Sequence, residues 1–144
     1  MIIPDLNILI YAYNSSATEH KKAKKWWEQQ ISSGILIGIP WVVLLGFIRI
    51  LSGTKVVENP YRIDELFSIV DQWLSYPNVQ LLEQSLESYQ MLKELMTSLK
   101  LSGASTTDAS IAALSFANKA RIATNDTDFF RYKGLELFNP IQAG

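Results

Sequence analysis

Residues 2–14 have the sequence IIPDLNILIYAYN, which contains the clearest signal of the fold class. The two isoleucines predict a short buried strand that ends at Asp5, and residues 7–13 predict a short helical turn closed by Asn14. A buried strand that passes directly into a helix is the opening of a βα unit. The stretch therefore predicts a protein in which strands and helices alternate.

The rest of the chain repeats this alternation, with apolar runs that predict strands and apolar residues at helical spacing between them. The predicted strands cover residues 35–38, 79–82, 121–124 and 135–138, and the predicted helices cover residues 16–34, opened by a capping-box pattern, 40–53, 59–76, 85–99 and 106–119. Strands separated by helices favour a mostly parallel sheet of four to five strands, covered on both faces. The class is therefore α/β. A length of 144 residues with 48% hydrophobic content predicts a single domain over residues 1–144.

The composition excludes several classes of chemistry. Lys and Arg total 13 and Asp and Glu total 14, so the net charge is −1 and no general basic surface attracts nucleic acid or membrane. The chain has no cysteine and one histidine, His20, which excludes thiolate nucleophiles, disulfides and Cys- or His-rich metal sites. The N-terminus lacks a signal-peptide pattern, and the longest apolar run, residues 39–48, is too short for a membrane span. We therefore expect a cytoplasmic protein.

Acidic residues follow two of the predicted strands and open one predicted helix. Asp5 follows the first strand, Asp126 follows the fourth, and Asp108 opens the alanine-rich helix, while Asp128 lies in the same turn as Asp126. In open α/β sheets, functional groups gather beyond the carboxyl ends of the strands and at adjoining helix N-termini. If the first and fourth strands are neighbours, these carboxylates converge and repel one another unless a cation lies between them. Oxygen ligands of this kind select a hard divalent ion such as Mg²⁺ or Mn²⁺.

Each of these residues also has a purely structural interpretation. The aspartates at the first strand and at the helix start, taken singly, are typical helix caps. The two aspartates of the turn are equally typical of turn chemistry. Asn7 and Thr124 could hydrogen-bond the waters of a metal ion, although an asparagine that caps the following turn is an equally good account. What favours the metal interpretation is that three acids fall at one end of one predicted sheet.

At these residues the chain resembles PIN-domain proteins, and within that family the VapC-type toxins of toxin–antitoxin pairs. Each matching stretch is short, but their order and spacing cover nearly the whole chain. The matching stretches are PDLNILIYA at residues 4–12, GFIRI at 46–50, TDASIAAL at 107–114, ATNDTDFF at 123–130 and GLELFNP at 134–140.

The resemblance implies a three-layer α/β/α sandwich and a Mg²⁺- or Mn²⁺-dependent endoribonuclease that hydrolyses RNA phosphodiester bonds. It also implies a homodimer and inhibition by a small VapB-like antitoxin. We predict that the helices around residues 26–27 and residues 63–74 form a groove for that antitoxin, because four tryptophans are more aromatic surface than one core needs. Carried over position by position, the metal-binding and catalytic acids are Asp5, Asp108 and Asp126, the additional acid is Asp128, and the polar supports are Asn7 and Thr124.

One position departs from the family pattern. Many members have a glutamate on the helix after the second strand, but residues 29–57 contain no carboxylate, and Gly46 stands about where that acid would be. We therefore predict one tightly held ion at the three acids. Two alternatives stay open. One is a PIN-like module that binds RNA or protein without cleaving, and the other is an aspartyl-phosphate phosphatase with Asp5 as nucleophile, although Asn7 stands where that chemistry usually needs a second acid.

Overall fold

The computed structural model describes residues 1–142, in which five strands form one sheet with every neighbouring pair parallel. The strands are β1 (Ile2–Pro4), β2 (Ile37–Pro40), β3 (Val79–Leu82), β4 (Arg121–Ala123) and β5 (Glu136–Phe138). Their order in the sheet is β3-β2-β1-β4-β5. The predicted α/β class and parallel sheet are confirmed. The predicted domain ends at residue 144, and residues 143–144 lie outside the described part of the chain.

Helices connect the strands and cover both faces of the sheet. They are α1 (Leu6–Tyr13), α2 (His20–Ser32), α3 (Trp41–Leu51), α4 (Ile63–Ser75), α5 (Leu86–Ser98) and α6 (Thr106–Asn118). Because parallel crossovers are right-handed, the connections from β1 to β2 and from β2 to β3 place α1–α4 on one face, and the return from β3 to β4 places α5 and α6 on the other. Accordingly, α1 packs on α2 and α3, and α5 packs on α6. Within residues 1–142, no helix is both long enough and apolar enough to cross a membrane.

The direction of the crossovers reverses between β1 and β4, which are adjacent strands. The chain leaves β1 toward β2 on one side and leaves β4 toward β5 on the other. Ligands of open α/β sheets bind in the crevice that such a reversal opens at the carboxyl ends of the strands. The backbone N–H of Asp5, just after β1, donates to the carbonyl of Ala123 at the end of β4 at 2.8 Å. The fold therefore places Asp5 beside residues 124–126.

An aromatic cluster fills the core between α1, α2, α3 and α4. The ring of Trp73 lies 4.7 Å from that of Phe47 and 5.4 Å from that of Trp27, measured between centroids. The indole N–H of Trp73 donates to the hydroxyl of Tyr13 at 2.9 Å. Trp27 and Trp73 are at most 2% exposed. These two tryptophans therefore belong to the core and not to the surface of the predicted antitoxin groove.

Three predicted element starts are wrong by two residues or more. β2 begins at Ile37 instead of residue 35, because the two apolar residues before it are exposed whereas all of β2 is buried. α2 begins at His20 instead of residue 16, because the Thr18 hydroxyl donates to the Glu19 carboxylate at 2.6 Å and neither side chain caps the helix. α4 begins at Ile63 instead of residue 59. The residue that precedes Ile63 has an extended backbone, and its N–H donates to the carboxylate of a glutamate in the first turn of α4.

Candidate active site

A cavity of about 340 Å³ opens where the carboxyl ends of β1 and β4 meet. Asp5, Asn7, Asp108 and Asp126 all line it. The two remaining predicted site residues hydrogen-bond to these aspartates. The tertiary structure thus brings together all six residues that the sequence analysis singled out.

Asp5 is held by hydrogen bonds on both carboxylate oxygens. Its Oδ1 accepts from the backbone N–H of Leu6 at 2.7 Å, which makes Asp5 the N-cap of α1, and its Oδ2 accepts from the Thr124 hydroxyl at 2.7 Å. The side chain is buried, and this burial raises the pKa of Asp5 to about 6 even though both hydrogen bonds lower it. Asp108 and Asp126 raise the pKa of Asp5 further by charge repulsion. The capping interpretation is therefore confirmed for Asp5, and it coexists with a place in the acidic cavity.

Thr124 links the two strand-end aspartates. Its hydroxyl donates to Asp5 Oδ2 and accepts from the backbone N–H of Asp126 at 3.0 Å. The side chain is buried, and its backbone N–H donates to the Phe138 carbonyl of β5 at 3.0 Å. Both hydrogen-bonding functions of the hydroxyl are thus used within the protein. Thr124 holds Asp5 and the backbone of the Asp126 turn in one arrangement.

The other three aspartates form a close group. Asp108, Asp126 and Asp128 each present one carboxylate oxygen, and these oxygens all lie within 4.8 Å of one another. Asp126 Oδ1 also accepts from the backbone N–H of Asp128 at 2.8 Å and caps the 3₁₀ segment Thr127–Arg131, so the predicted turn chemistry is present as well. Asp108 lies in the first turn of α6, whose N-cap is Ser105. The capping interpretation is therefore wrong for Asp108.

Arg131 is a charged neighbour of the acidic group that the sequence analysis missed. One guanidinium nitrogen lies 3.4 Å from Asp128 Oδ2, and another donates to the hydroxyl of Ser105 at 3.3 Å. The pKa of Asp108 is raised mainly by burial and further by Asp126 and Asp128, whereas Arg131 lowers it. The spacing of Asp128 and Arg131, three residues apart on a short helical segment, was the available signal.

The side-chain oxygen of Asn7 is the strongest indication of a bound cation in the cavity. Its Oδ1 is buried and has no hydrogen-bond partner among residues 1–142. An unpaired buried acceptor costs about 1–3 kcal/mol, which a water molecule or ligand in the cavity can offset. Asn7 is the second residue of α1 and not its cap, so the capping interpretation is wrong for it. Carboxylates together with a free amide oxygen suit a hard, partly hydrated cation such as Mg²⁺ or Mn²⁺, so the residues present fit that ion.

The chain matches the family model of the PIN domain over residues 2–135. This chain belongs to the PIN-domain family. Among its relatives is Ribonuclease VapC33 of Mycobacterium tuberculosis, which is 33% identical over 142 residues, or 99% of each chain. Ribonuclease VapC37 of the same organism is 29% identical over 140 residues, or 97% of each chain.

Solved structures show the same PIN-domain fold. VapBC2 from Rickettsia felis, bound to a DNA fragment from their promoter, contains a chain that aligns with a TM-score of 0.72 and 25% identity, covering 96% of this chain and 98% of that one. VapBC-1 from nontypeable Haemophilus influenzae aligns with a TM-score of 0.71 and 16% identity, covering 99% and 100%. At 16% identity the second comparison shows the fold alone. The predicted three-layer sandwich is confirmed.

Gly46 of this PIN-domain protein lies on α3 beside the acidic cavity. It is buried, and a Cβ atom added to it would lie 2.6 Å from Cδ2 of Leu6, the residue that follows Asp5. Leu6 therefore fills the space that a side chain at position 46 would enter. Leu6, Ile50 and Val56 line the same cavity, so one wall of it is apolar. The sequence showed that an acid was missing here but not that a leucine takes up the space.

Proposed function

We propose that this PIN-domain protein is an endoribonuclease that hydrolyses RNA phosphodiester bonds and requires Mg²⁺ or Mn²⁺. The observation that supports this best is the convergence of Asp5, Asp108 and Asp126 on one cavity at the switch point of the sheet. Relatives named ribonuclease match nearly the full length of the chain and of themselves. We also propose that residues 1–144 form a single domain, because one sheet takes its strands from both ends of the chain.

Asp5, Asp108 and Asp126 are the residues proposed to hold the cation, with Asp128 as an additional acid. When bound, such a cation lowers the pKa of a water molecule and offsets negative charge on the phosphate under attack. Its affinity depends on ionised carboxylates. Because the pKa of Asp5 is about 6, metal binding should weaken as the pH falls through that value. The apolar wall at Gly46 supports the prediction of one tightly held ion.

The remaining polar residues have separate roles in this proposal. Thr124 positions Asp5 and the Asp126 turn, so the acids keep one arrangement before substrate arrives. Asn7 Oδ1 accepts a hydrogen bond from a water or a ribose hydroxyl inside the cavity, since no donor in residues 1–142 reaches it. Arg131 places positive charge beside the acidic group, where it balances Asp128 and attracts a phosphate.

Cleavage of labelled RNA tests the proposal. Purified protein should cut single-stranded or structured RNA in the presence of Mg²⁺ or Mn²⁺, and EDTA should stop the reaction. Asp5→Asn should lower the rate by about 100-fold or more, because loss of a metal ligand costs at least as much as loss of an outer partner. Asp71→Asn changes an exposed aspartate of α4 and is the matched control, which should keep full activity. Activity that survives chelation would contradict metal-assisted hydrolysis.

A second candidate function is a PIN-like module that binds RNA or protein without cleaving it. The observation that favours it is the Leu6 side chain packed against Gly46, where many family members have a glutamate. RNA binding without metal-dependent cleavage would support this candidate over the first. The phosphatase alternative predicts a trapped acyl-phosphate on Asp5, which mass spectrometry would detect.

We further propose a small VapB-like antitoxin and a second copy of the chain as partners. The Rickettsia felis relative was solved as VapBC2. In this chain, α3 exposes Trp41 and Leu45, and α4 exposes Ile63 and Phe67, each by about half. An amphipathic segment of an antitoxin would cover these apolar side chains. Co-expression with a small reading frame beside the gene should yield a complex, and a persistently lone monomer would count against it. The cytoplasmic location expected from the sequence stays a prediction.

A further inference from the structure

A second cavity, of about 400 Å³, adjoins the acidic one. Thr124, Asn125 and Asp126 line one side of it, and β5 with the residues after it lines the other. Thr124 hydrogen-bonds to Asp5, and Asp126 lines both cavities. We call it the β4–β5 cavity. A group bound there lies next to whatever is bound at the acids.

The walls of the β4–β5 cavity combine aromatic and amide groups. Phe130 lines it and is 72% exposed, although its neighbour Phe129 is fully buried. Phe138 lies on the β5 side, fixed by the Arg121 guanidinium 4.4 Å above its ring. An aromatic side chain as exposed as Phe130 is not needed for the core. It is available as a flat apolar surface for a ligand.

The amides of the cavity are held in place by one another. Asn139 Nδ2 donates to Asn125 Oδ1 at 2.7 Å, and Asn139 Oδ1 accepts from the backbone N–H of Ile141 at 3.1 Å. Gln142 adds a third primary amide to the lining. Primary amides provide hydrogen-bond donors and acceptors side by side, which is how proteins recognise the edges of nucleobases.

The charge of the β4–β5 cavity indicates which part of a nucleotide it can bind, the phosphate or the base. Among the residues of the described chain that line it, Asp126 is the one with a formal charge. A phosphate would therefore find no cation there, whereas a neutral base meets no charge penalty. The volume is near the lower end of the range of about 300–1,000 Å³ that is usual for small-molecule sites.

We infer that the β4–β5 cavity binds one nucleobase of the RNA, that of a nucleotide flanking the scissile phosphate, and that Phe130 stacks on it. This inference rests on the proposed ribonuclease function. Single-stranded RNA is recognised by unstacked bases that stack on aromatic side chains and hydrogen-bond through their edges. The cavity therefore sets the sequence preference of cleavage, while the acids supply the chemistry.

A cycle of protein and RNA changes tests the inference. The protein variants are Phe130→Ala, Phe130→Tyr and, as a control, Tyr89→Ala, which removes an exposed aromatic of α5 outside the cavity. The RNA is a single-stranded oligonucleotide with a mapped cleavage site, used intact or with an abasic nucleotide at each flanking position in turn. The measurement is kcat/KM for cleavage.

Phe130→Ala should lower kcat/KM by about 5- to 150-fold, the loss expected for one stacked base. Phe130→Tyr and Tyr89→Ala should change it little. At one flanking position, the abasic RNA should show the same loss, and Phe130→Ala should cause no further loss on that RNA. Losses that multiply at every position, or a wild-type rate retained by Phe130→Ala, would overturn the inference and leave the proposed function intact.

If the proposed ribonuclease function is wrong, the experiment has a different outcome. If the wild-type protein does not cleave RNA, the same cycle is measured as the Kd for RNA in the presence of Ca²⁺. Coupling between Phe130 and one abasic position would then support the cavity inference without the nuclease. Absence of RNA binding, or binding without that coupling, would overturn it. A change in oligomeric state of Phe130→Ala without any effect on RNA would show that Phe130 contacts protein instead.

Discussion

Asp5→Asn is expected to stabilise the metal-free protein near pH 8, although it removes a proposed metal ligand. Asp5 is only 5% exposed, and burial raises its pKa to about 6 from an ordinary value of 3.8. The folded chain therefore binds a proton at Asp5 more tightly than the unfolded chain does. Stability falls as the pH rises from 3.8 through 6, and the loss is complete above 6. Asparagine resembles the protonated carboxyl and caps a helix as well as aspartate does, so the variant avoids this loss.

The pKa of Asp5 sets the magnitude. The difference between 3.8 and about 6 corresponds to about 3 kcal/mol of unfolding free energy near pH 8. Near pH 4.5 the folded carboxyl is mostly protonated already, and the same relation leaves about 1 kcal/mol. In a chain of 144 residues, 1 kcal/mol moves Tm by about 3 °C. The variant should therefore gain about 10 °C near pH 8 and about 3 °C near pH 4.5.

Urea unfolding in EDTA at both pH values, supported by thermal melts, measures this effect. Asp71→Asn, at an exposed position of α4, is the control and should change stability by less than about 0.5 kcal/mol. Mn²⁺ should reverse the order, because it stabilises a protein that binds it in the folded state and Asp5→Asn binds it poorly. The reasoning is refuted if metal-free Asp5→Asn is less stable than wild type near pH 8, or if its gain is the same at both pH values. The first result would mean that the carboxylate stabilises the fold as a cap by more than its burial costs, and the second would mean that the gain does not come from the titration of Asp5.

Three further predictions concern the metal site and the partner surface. Asp108→Asn should be as stable as the wild type or more stable without metal, because burial and Asp126 raise the pKa of Asp108. The variant should also lose the Mn²⁺-induced rise in Tm. A marked drop in its metal-free Tm would contradict this prediction. Gly46→Glu alone should change the free energy of unfolding in urea by less than about 1 kcal/mol, because its Cβ displaces the far end of the flexible Leu6 side chain and glutamate has a higher helix propensity than glycine. The double variant Gly46→Glu/Leu6→Ala should bind Mn²⁺ more tightly than the wild type in calorimetric titration. Two comparable tight sites in the wild type would show that another residue replaces the missing acid. Phe67→Ser should weaken antitoxin capture in a pull-down and leave RNA cleavage unchanged, whereas equal capture would remove α4 from the partner surface.

Local patterns predicted most elements because hydrophobic periodicity reports which side of a segment is buried. β3 has the predicted bounds, and Ser85 caps α5 as expected, with its hydroxyl accepting from the backbone N–H of Ser88 at 3.1 Å. The start of β2 was predicted two residues too early, because Ile35 and Leu36 are apolar but about 45% exposed. Periodicity does not distinguish an apolar residue in the core from one left on the surface.

The alternation of strands and helices and the kind of chemistry available could both be predicted from local sequence patterns and composition. With no cysteine and one histidine, oxygen ligands from aspartates were the remaining basis for a metal site. Tertiary packing was needed to show that β1 lies next to β4, so that Asp5 meets Thr124 across 119 residues of sequence. The same holds for the Leu6 side chain that fills the space at Gly46 and for the second cavity that Phe130 borders. Strands pair through backbone hydrogen bonds, which are alike for all residue types, so the choice of a strand's neighbour depends on how the whole chain packs.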